Sequence, residues 1–223
     1  MTTNSDQHAV VELRGVHQRF GRKRVLRGVD LSVARGSSVV LTGANGSGKT
    51  TLLRVVATLL RPSSGAGSVC GLPLNQGDRI REHVGYVSSR GTLYDDLTAA
   101  ENLRFAARLT GASAPAGRID ELLDMAGLTG ARDQRVRTYS TGMRRRLSLT
   151  TLRLRPLDLV LMDEPYSGLD TEGMAMVDRM VGEFLGVGAT VLLATHLEGE
   201  ATRRATAGYR IEDGRLVPAG AAG

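Results

Sequence analysis

The stretch Gly43-Ala44-Asn45-Gly46-Ser47-Gly48-Lys49-Thr50 has the spacing G-x-x-x-x-G-K-[ST], which is typical of a loop that wraps phosphate groups. A near-continuous apolar run, Ser38 to Thr42, precedes it. Apolar residues at helical spacing follow it from Thr51 to Leu60, where Arg61-Pro62 should end the helix. Glycines let backbone N–H groups point at phosphate oxygens, and the helix start adds its positive dipole end. The sequence therefore predicts strand, phosphate-binding turn and helix, with Lys49 on the phosphates and the Thr50 hydroxyl on Mg²⁺.

A second candidate site follows the apolar run that ends at Met162, where two carboxylates, Asp163 and Glu164, come one after the other. Acids at the carboxyl ends of strands lie where an open α/β sheet binds its ligand. Asp163 suits a second anchor for Mg²⁺, and Glu164 suits a general base that polarises a water molecule. The alternative is a solvated acidic turn.

Two further candidates depend more on context. His196 ends the predicted strand Ala189 to Thr195, in the same kind of position as Asp163, and taken alone it is as easily incidental. Ser140 and Gly142 lie in a small polar turn that opens a predicted helix, and Ser140 can cap that helix at an end that attracts anions. The alternative is an ordinary cap followed by a solvated basic first turn.

The rest of the chain predicts an N-terminal antiparallel β layer, a helical stretch between strands, and a return to β-α-β order. The predicted segments are strands at Ala9 to Leu13 and Val25 to Val33, a turn-rich stretch at Gly65 to Leu74, a strand at Val84 to Ser88, helical pattern from Leu97 to about Thr150, a strand at Leu157 to Met162, a helix around Met174 to Leu185, and a hairpin at Tyr209 to Val217.

Composition limits the protein class. A chain of 223 residues and 23.7 kDa has room for one substantial α/β domain, and 41% hydrophobic residues fit a folded, water-facing chain. Its longest apolar runs are strand-sized, far below the roughly 20 residues of a membrane-spanning helix. The polar start, Met1 to His8, argues against a signal peptide, and the lone Cys70 fits a reducing compartment.

Charge points towards an anionic ligand. The net charge is +6, and residues 1–80 hold eleven basic and four acidic side chains, so the positive excess lies in the part with the phosphate loop. Only two of the 29 basic residues are lysines, Lys23 and Lys49, which makes a chance lysine in a Gly-rich turn the weaker explanation of the motif.

Set in order, these motifs resemble the nucleotide-binding subunit of an ATP-binding cassette (ABC) transporter, over about Val10 to Gly220. Gly43 to Thr50 resembles the Walker A loop, and Leu159 to Glu164 the Walker B strand with its catalytic glutamate. Tyr139 to Met143 is similar to the family signature L-S-G-G-Q, kept here as Ser140 and Gly142. Ser167 to Asp170 resembles the D-loop.

The resemblance also implies roles for single residues. His196 corresponds to the switch histidine, and Phe20 takes the place of an aromatic residue that stacks on adenine, the alternative being a half-buried core Phe. Ser89 stands where the family has a metal-binding glutamine and is too short to span the same gap. The implied catalytic residues are Glu164, His196 and Lys49; the implied nucleotide-binding residues are Phe20, Gly43 to Thr50, Thr51, Ser140 and Gly142; the implied metal-binding residues are Thr50, Asp163 and Ser89.

By the same resemblance, the fold is an α/β P-loop NTPase of the ABC ATPase type, with an antiparallel β layer and an inserted helical subdomain. It is a single domain over 1–223, with an ATP-binding core at 9–87 and 156–220 and the subdomain at 88–155. The implied activity is Mg²⁺-dependent ATP hydrolysis between two ABC subunits, as a homodimer or a heterodimer, which drives integral membrane subunits from the cytoplasmic face of the membrane. The segment Leu93 to Phe105 resembles exporters of the haem-exporter or ABC-2 drug-exporter type.

Two alternatives stay open at this point. One is a degenerate partner cassette with weak ATPase activity, favoured by Ser89 and by Met143 in place of the signature glutamine. The other is a soluble ABC ATPase outside transport, acting on nucleic acid or on a protein complex. Such proteins usually carry two cassettes or a long coiled-coil insertion, and the sequence shows neither, so nucleic acid is not an expected partner.

Overall fold

The structure, a computed structural model, describes residues 9–88, 92–196 and 205–219. The strands in these ranges are β1 (Ala9–Phe20), β2 (Lys23–Ala34), β3 (Ser38–Thr42), β4 (Ser64–Val69), β5 (Leu72–Pro73), β6 (Val84–Val87), β7 (Leu159–Asp163), β8 (Thr190–Ala194), β9 (Ala207–Glu212) and β10 (Arg215–Pro218). The α-helices are α1 (Lys49–Val56), α2 (Gly77–His83), α3 (Ala99–Leu109), α4 (Ala116–Met125), α5 (Thr141–Thr150) and α6 (Thr171–Gly186).

An antiparallel sheet forms the N-terminal layer, in the order β2-β1-β4-β5. Alternation along β2 explains which face is covered, because Val29, Leu31 and Val33 are buried while the residues between them are exposed. Register agrees, since Leu13 pairs with Leu31 and Val16 with Val29. The predicted antiparallel β layer is confirmed.

The larger sheet positions the site. Its order is β10-β9-β3-β8-β7-β6, and every pairing is parallel except that of β9 with β10. Strands β3, β7 and β8 are apolar and buried along most of their length, as expected for a parallel sheet covered on both faces. Because these strands run the same way, their carboxyl ends meet at one edge, where ligands of open α/β sheets bind.

Helices α3, α4 and α5 lie between β6 and β7 in the chain. Apolar residues of these helices, among them Leu103, Leu122 and Leu147, are fully buried and join one hydrophobic core with the strands of the large sheet. A second core fills the space between the antiparallel sheet, α1 and the other face of the large sheet. The helical insertion appears where the sequence predicts it, and its boundaries at 88 and 155 stay a prediction.

Helix α1 is shorter than predicted. It ends at Val56 instead of Leu60, because Thr58 takes a left-handed backbone conformation, with φ 55°. The N–H groups of Leu59 and Leu60 both donate to the carbonyl of Arg54, at 2.9 and 3.1 Å, which closes the helix end. Leu59 continued the apolar pattern in the sequence, yet its side chain is 56% exposed.

The stretch Gly65 to Leu74, predicted as turn-rich, is mostly strand: 65–69 belong to β4 and 72–73 to β5, and turns occupy only 70–71 and 74. The prediction is therefore wrong for the strand residues. The glycines of this stretch serve close strand contact: a Cβ on Gly67 would lie 2.4 Å from the Glu12 carbonyl oxygen of β1. Sequence patterns also gave no sign of the seven-residue helix α2. Among the helices of the described ranges, none combines the length and apolar character that crossing a membrane requires.

Candidate functional site

The loop between β3 and α1 has the backbone shape that its glycines permit. Gly43, Gly46 and Gly48 have φ angles of 141°, 80° and 118°, all in the region that favours glycine. A Cβ on Gly43 would lie 2.8 Å from both the Ile211 carbonyl oxygen and the Ser47 hydroxyl oxygen. The loop therefore curls tightly against β9 and leads straight into the N-terminus of α1, and these residues fit a nucleotide's phosphates.

Lys49 is the first residue of α1, and its side chain is buried inside this loop. Its ammonium group donates to the carbonyl oxygens of Gly43 and Ala44, at 2.7 and 3.3 Å. The same Nζ atom lies 3.5 Å from Oε1 of Glu164. The structure thus brings a buried cation of the loop together with a carboxylate that follows β7.

Thr50 and Asp163 supply a pair of oxygens suited to Mg²⁺. The Thr50 hydroxyl donates to Oδ2 of Asp163 over 2.8 Å, while Oδ1 of Asp163 is buried without a hydrogen-bond partner among the described residues. Burial raises the pKa of the Asp163 carboxyl above its usual range, although the Thr50 hydrogen bond opposes that shift. A buried carboxylate oxygen with no partner, next to a hydroxyl, fits a small cation that also uses substrate phosphates as ligands.

Glu164 and His196 meet at the ends of neighbouring strands. Glu164 follows β7 with φ 51°, a left-handed conformation that is uncommon for a residue with a side chain. Oε2 of its carboxylate lies 2.8 Å from Nδ1 of His196 and accepts the backbone N–H of His196 at 3.2 Å. One carboxylate oxygen therefore faces Lys49 and the other faces His196.

Phe20 ends β1, is 52% exposed and belongs to neither hydrophobic core, which argues against the alternative of a half-buried core Phe. Across the hairpin it pairs with Lys23. Lys23 and the loop residues Gly43 to Ser47 line a common cavity of about 680 Å³. Within this wall Ala44, Asn45 and Gly46 are exposed and Ser47 is partly buried. Thr51 lies outside the wall, in α1, and is partly buried.

Ser140 caps α5, as predicted, by accepting the backbone N–H of Met143 at 3.2 Å. Gly142 lies against the segment after β7, since a Cβ there would be 3.3 Å from the Gly168 carbonyl oxygen. Within the described residues, neither of them shares a hydrogen bond with the loop Gly43 to Thr50. Ser89, the third predicted metal-binding residue, lies outside the described residues.

The sequence reading missed Arg145. It lies near the start of α5, in a segment that the alternative interpretation makes solvated and basic, yet its side chain is buried and only 5% exposed. Its guanidinium donates to backbone carbonyls at the ends of β6 and β7. The one signal available was its position four residues before the buried Leu149, which places both on the inner face of α5.

Comparison with known proteins agrees with this geometry. A sequence model of the family described as "ABC transporter" matches residues 26–167. The chain is 38% identical to the daunorubicin resistance ATP-binding protein DrrA3 of Streptomyces coeruleorubidus, over 95% of the chain and 68% of that protein. It is 37% identical to the Nod factor export ATP-binding protein I of Cupriavidus metallidurans, over 95% of the chain and 71% of that protein.

Comparison with solved structures also assigns the fold of ATP-binding cassettes to this chain. An ATP-binding subunit of an ABC transporter superimposes with a TM-score of 0.84 at 30% identity, over 94% of this chain and 90% of that one. A dimeric ATP-binding cassette in a post-hydrolysis state with ADP and Pi superimposes with a TM-score of 0.84 at 24% identity, over 93% and 98% of the two chains, and shows the fold alone. The predicted fold class is confirmed.

Proposed function

The chain belongs to the ABC transporter family, and we propose that it is the Mg²⁺-dependent, ATP-hydrolysing subunit of an exporter-type transporter. The observation that carries this proposal is the meeting of Lys49, Asp163 and Glu164 at one edge of the sheet. The relatives are named as ATP-binding proteins of daunorubicin resistance and of Nod factor export, which agrees with the predicted exporter type.

In this function the loop Gly43 to Gly48 holds the phosphates through its backbone N–H groups, and Lys49 contacts the terminal ones. Thr50 and Asp163 would hold Mg²⁺, which would supply positive charge beside the phosphates. Phe20, exposed at the rim of the hairpin, stacks on the adenine. Binding thus uses residues from β1, from the loop after β3 and from the end of β7.

Glu164 acts as the general base that orients and deprotonates the attacking water. Its position is set by two groups already in contact with it, since Lys49 lies 3.5 Å from one carboxylate oxygen and His196 2.8 Å from the other. His196 therefore orients the base from the end of the neighbouring strand. Intact Glu164 and His196 argue against the alternative of a degenerate cassette.

A single chain does not complete this site, because Ser140 and Gly142 make no hydrogen bond to its own phosphate loop in the described ranges. We infer that a second ABC subunit supplies the N-terminus of α5 to the terminal phosphate, where its helix dipole favours an anion. Closing and reopening of this pair then drives integral membrane subunits, with the chain bound peripherally at the cytoplasmic face of the membrane.

Substituting Glu164→Gln tests this proposal. The amide keeps the size of the carboxylate but cannot take a proton, so bound ATP should persist and hold two chains together. Size-exclusion chromatography with light scattering should show a dimer for E164Q with ATP and Mg²⁺, and a monomer without ATP. Lys49→Ala in the same background should abolish the dimer. An E164Q chain that binds ATP in a titration yet stays monomeric at saturation would overturn the two-subunit site.

A further inference from the structure

Arg145 connects α5 to the ends of two neighbouring strands. Its Nη1 atom donates to the Ser88 carbonyl after β6 at 2.6 Å, and its Nη2 atom donates to the carbonyls of Asp163 and Glu164, both at 2.6 Å. Its Nε atom adds a longer contact of 3.4 Å to the Pro165 carbonyl. One buried guanidinium thus satisfies four backbone oxygens beside the candidate base.

Two of these carbonyls flank the Cα atom of Glu164. The Asp163 carbonyl belongs to the peptide plane before that atom and the Glu164 carbonyl to the plane after it, so the two hydrogen bonds fix both backbone dihedrals of Glu164. This residue needs such a constraint, because φ 51° is disfavoured for a side chain with a Cβ. Two other bonds help: Glu164 N–H donates to Ala194 O at 2.8 Å, and Ser167 N–H donates to Glu164 O at 3.1 Å.

Burying the charged guanidinium of Arg145 costs free energy. Its presence here therefore indicates a role beyond packing. Burial lowers the pKa of the Arg145 guanidinium, while the nearby carboxylates of Asp163 and Glu164 oppose that shift. A planar fork with five N–H donors can reach several carbonyls of fixed orientation at once, which neither a lysine nor a glutamine can match.

We propose that Arg145 is a positioning residue, which holds Glu164 in its left-handed backbone conformation and so aims the carboxylate at the water it activates. This inference rests on the proposed ATP hydrolysis for its consequence in turnover. Its structural part, the backbone conformation of Glu164, stands on the hydrogen bonds alone. Arg145 reaches the reaction through the backbone of Asp163 and Glu164, and its side-chain hydrogen bonds in the described residues all go to backbone carbonyls.

Arg155 offers a matched control. Its guanidinium also donates to three backbone carbonyls, those of Arg81, Glu82 and Val84, but at the opposite end of β6 from Ser88. Burial lowers its pKa in the same direction. Arg155→Gln therefore removes the same kind of contact and leaves the surroundings of Glu164 intact.

The experiment compares Arg145→Gln, Arg145→Lys and Arg155→Gln in the full chain. It measures kcat and KM for ATP, the dissociation constant of ATP, the urea midpoint, and the backbone ¹³C chemical shifts of Glu164, which report its φ region. We expect R145Q to lower kcat at least tenfold with ATP affinity within twofold, and to move the Glu164 shifts away from left-handed values. R145K should recover part of kcat, and R155Q should lower the urea midpoint with kcat within twofold of the unsubstituted chain.

Unchanged Glu164 shifts in folded R145Q would overturn the inference, whatever happens to turnover. A second outcome would also overturn it: in both R145Q and R155Q, kcat and ATP affinity fall equally and in proportion to the drop in the urea midpoint. That result is expected of an arginine that only stabilises the fold. If R145Q does not fold, R145K gives the same comparison. If the unsubstituted chain hydrolyses no ATP, the proposed function fails, while the Glu164 shifts still decide the conformational part.

Discussion

Asp163 is fully buried, and one of its oxygens has no hydrogen-bond partner among the described residues. Its raised pKa means that the folded chain disfavours the ionised carboxylate. By linkage, ionised Asp163 destabilises the fold above its raised pKa, and this penalty disappears as the pH falls through that pKa towards the ordinary value. The site therefore gives up stability to keep a carboxylate where Mg²⁺ fits.

Asp163→Asn should consequently raise the free energy of unfolding at neutral pH without Mg²⁺, by on the order of 1 kcal/mol, the usual size of a stabilising substitution. It should also abolish Mg²⁺-dependent ATP hydrolysis. Urea unfolding at several pH values checks the sign, because the gain of D163N over the unsubstituted chain should shrink as the pH falls. A D163N chain that is less stable at neutral pH would contradict the assignment of a penalty to this buried charge.

Phe20 gives a prediction that separates binding from folding. Its ring is half exposed, so Phe20→Ala should change the free energy of unfolding by no more than about 0.5 kcal/mol. Loss of stacking on a base is worth roughly 1–3 kcal/mol, so the dissociation constant of ATP should rise about 5- to 150-fold. Fluorescence titration with a labelled ATP measures this.

The control for that titration is Phe105→Ala, which removes another exposed Phe, one that contacts Tyr94 at 4.7 Å between ring centroids. It should leave ATP affinity unchanged. Equal affinities for F20A and the unsubstituted chain would remove Phe20 from the nucleotide site.

At the scale of elements, two helices begin with the same cap chemistry in different places. Ser140 caps α5 through the N–H of Met143, and Thr98 caps α3 in a capping box with Glu101. Ser140→Ala and Thr98→Ala should each cost about 1 kcal/mol of stability. Only Ser140 stands at the helix end that the second subunit is proposed to present to ATP.

In the E164Q background, S140A should therefore weaken ATP-driven dimer formation, whereas T98A should leave it intact. Sedimentation over a range of protein concentrations gives the dimer dissociation constants, and thermal unfolding gives the stability of each variant. Equal dimer constants for the two variants would contradict a role of the α5 N-terminus across the interface.

The elements show what the sequence could predict. Strand β3, the phosphate loop and the start of α1 follow from local patterns, and so does the hairpin of β9 and β10, in which Glu212 pairs with Arg215 around Asp213-Gly214. Helix α6 is longer than its predicted core of Met174 to Leu185 because Asp170 caps it by accepting the N–H of Gly173. These features depend on neighbours in the chain, which a single sequence displays.

Other features depend on distant partners, and a single sequence hides them. Gly67 looks like a turn residue until β1 passes within contact distance of it. Arg145 looks like a solvated arginine until Ser88 and Asp163 turn out to lie at its guanidinium. The left-handed conformation of Glu164 is likewise held by a contact from α5, the hydrogen bond of Arg145 to the Glu164 carbonyl, and no local residue pattern predicts it.

For the whole molecule, the strand order of the large sheet explains why the candidate catalytic and binding residues lie at one edge, the carboxyl ends of its parallel strands. Three parallel strands in the order β3-β8-β7 deliver the phosphate loop, His196 and the pair Asp163 and Glu164 to the same end of the sheet. Phe20, at the end of β1 in the antiparallel layer, pairs with Lys23, which lines the same cavity as the phosphate loop. The excess of positive charge lies in residues 1–80, which include the phosphate loop, and this charge suits a polyanionic substrate.

The most direct test is phosphate release from ATP by the purified chain, at concentrations that populate the dimer. We predict release that requires Mg²⁺, stops with EDTA, and falls at least about 100-fold in E164Q, as expected for the loss of a general base. A chain that binds ATP but releases no phosphate with Mg²⁺ would contradict the proposal, and so would an E164Q chain as fast as the unsubstituted one.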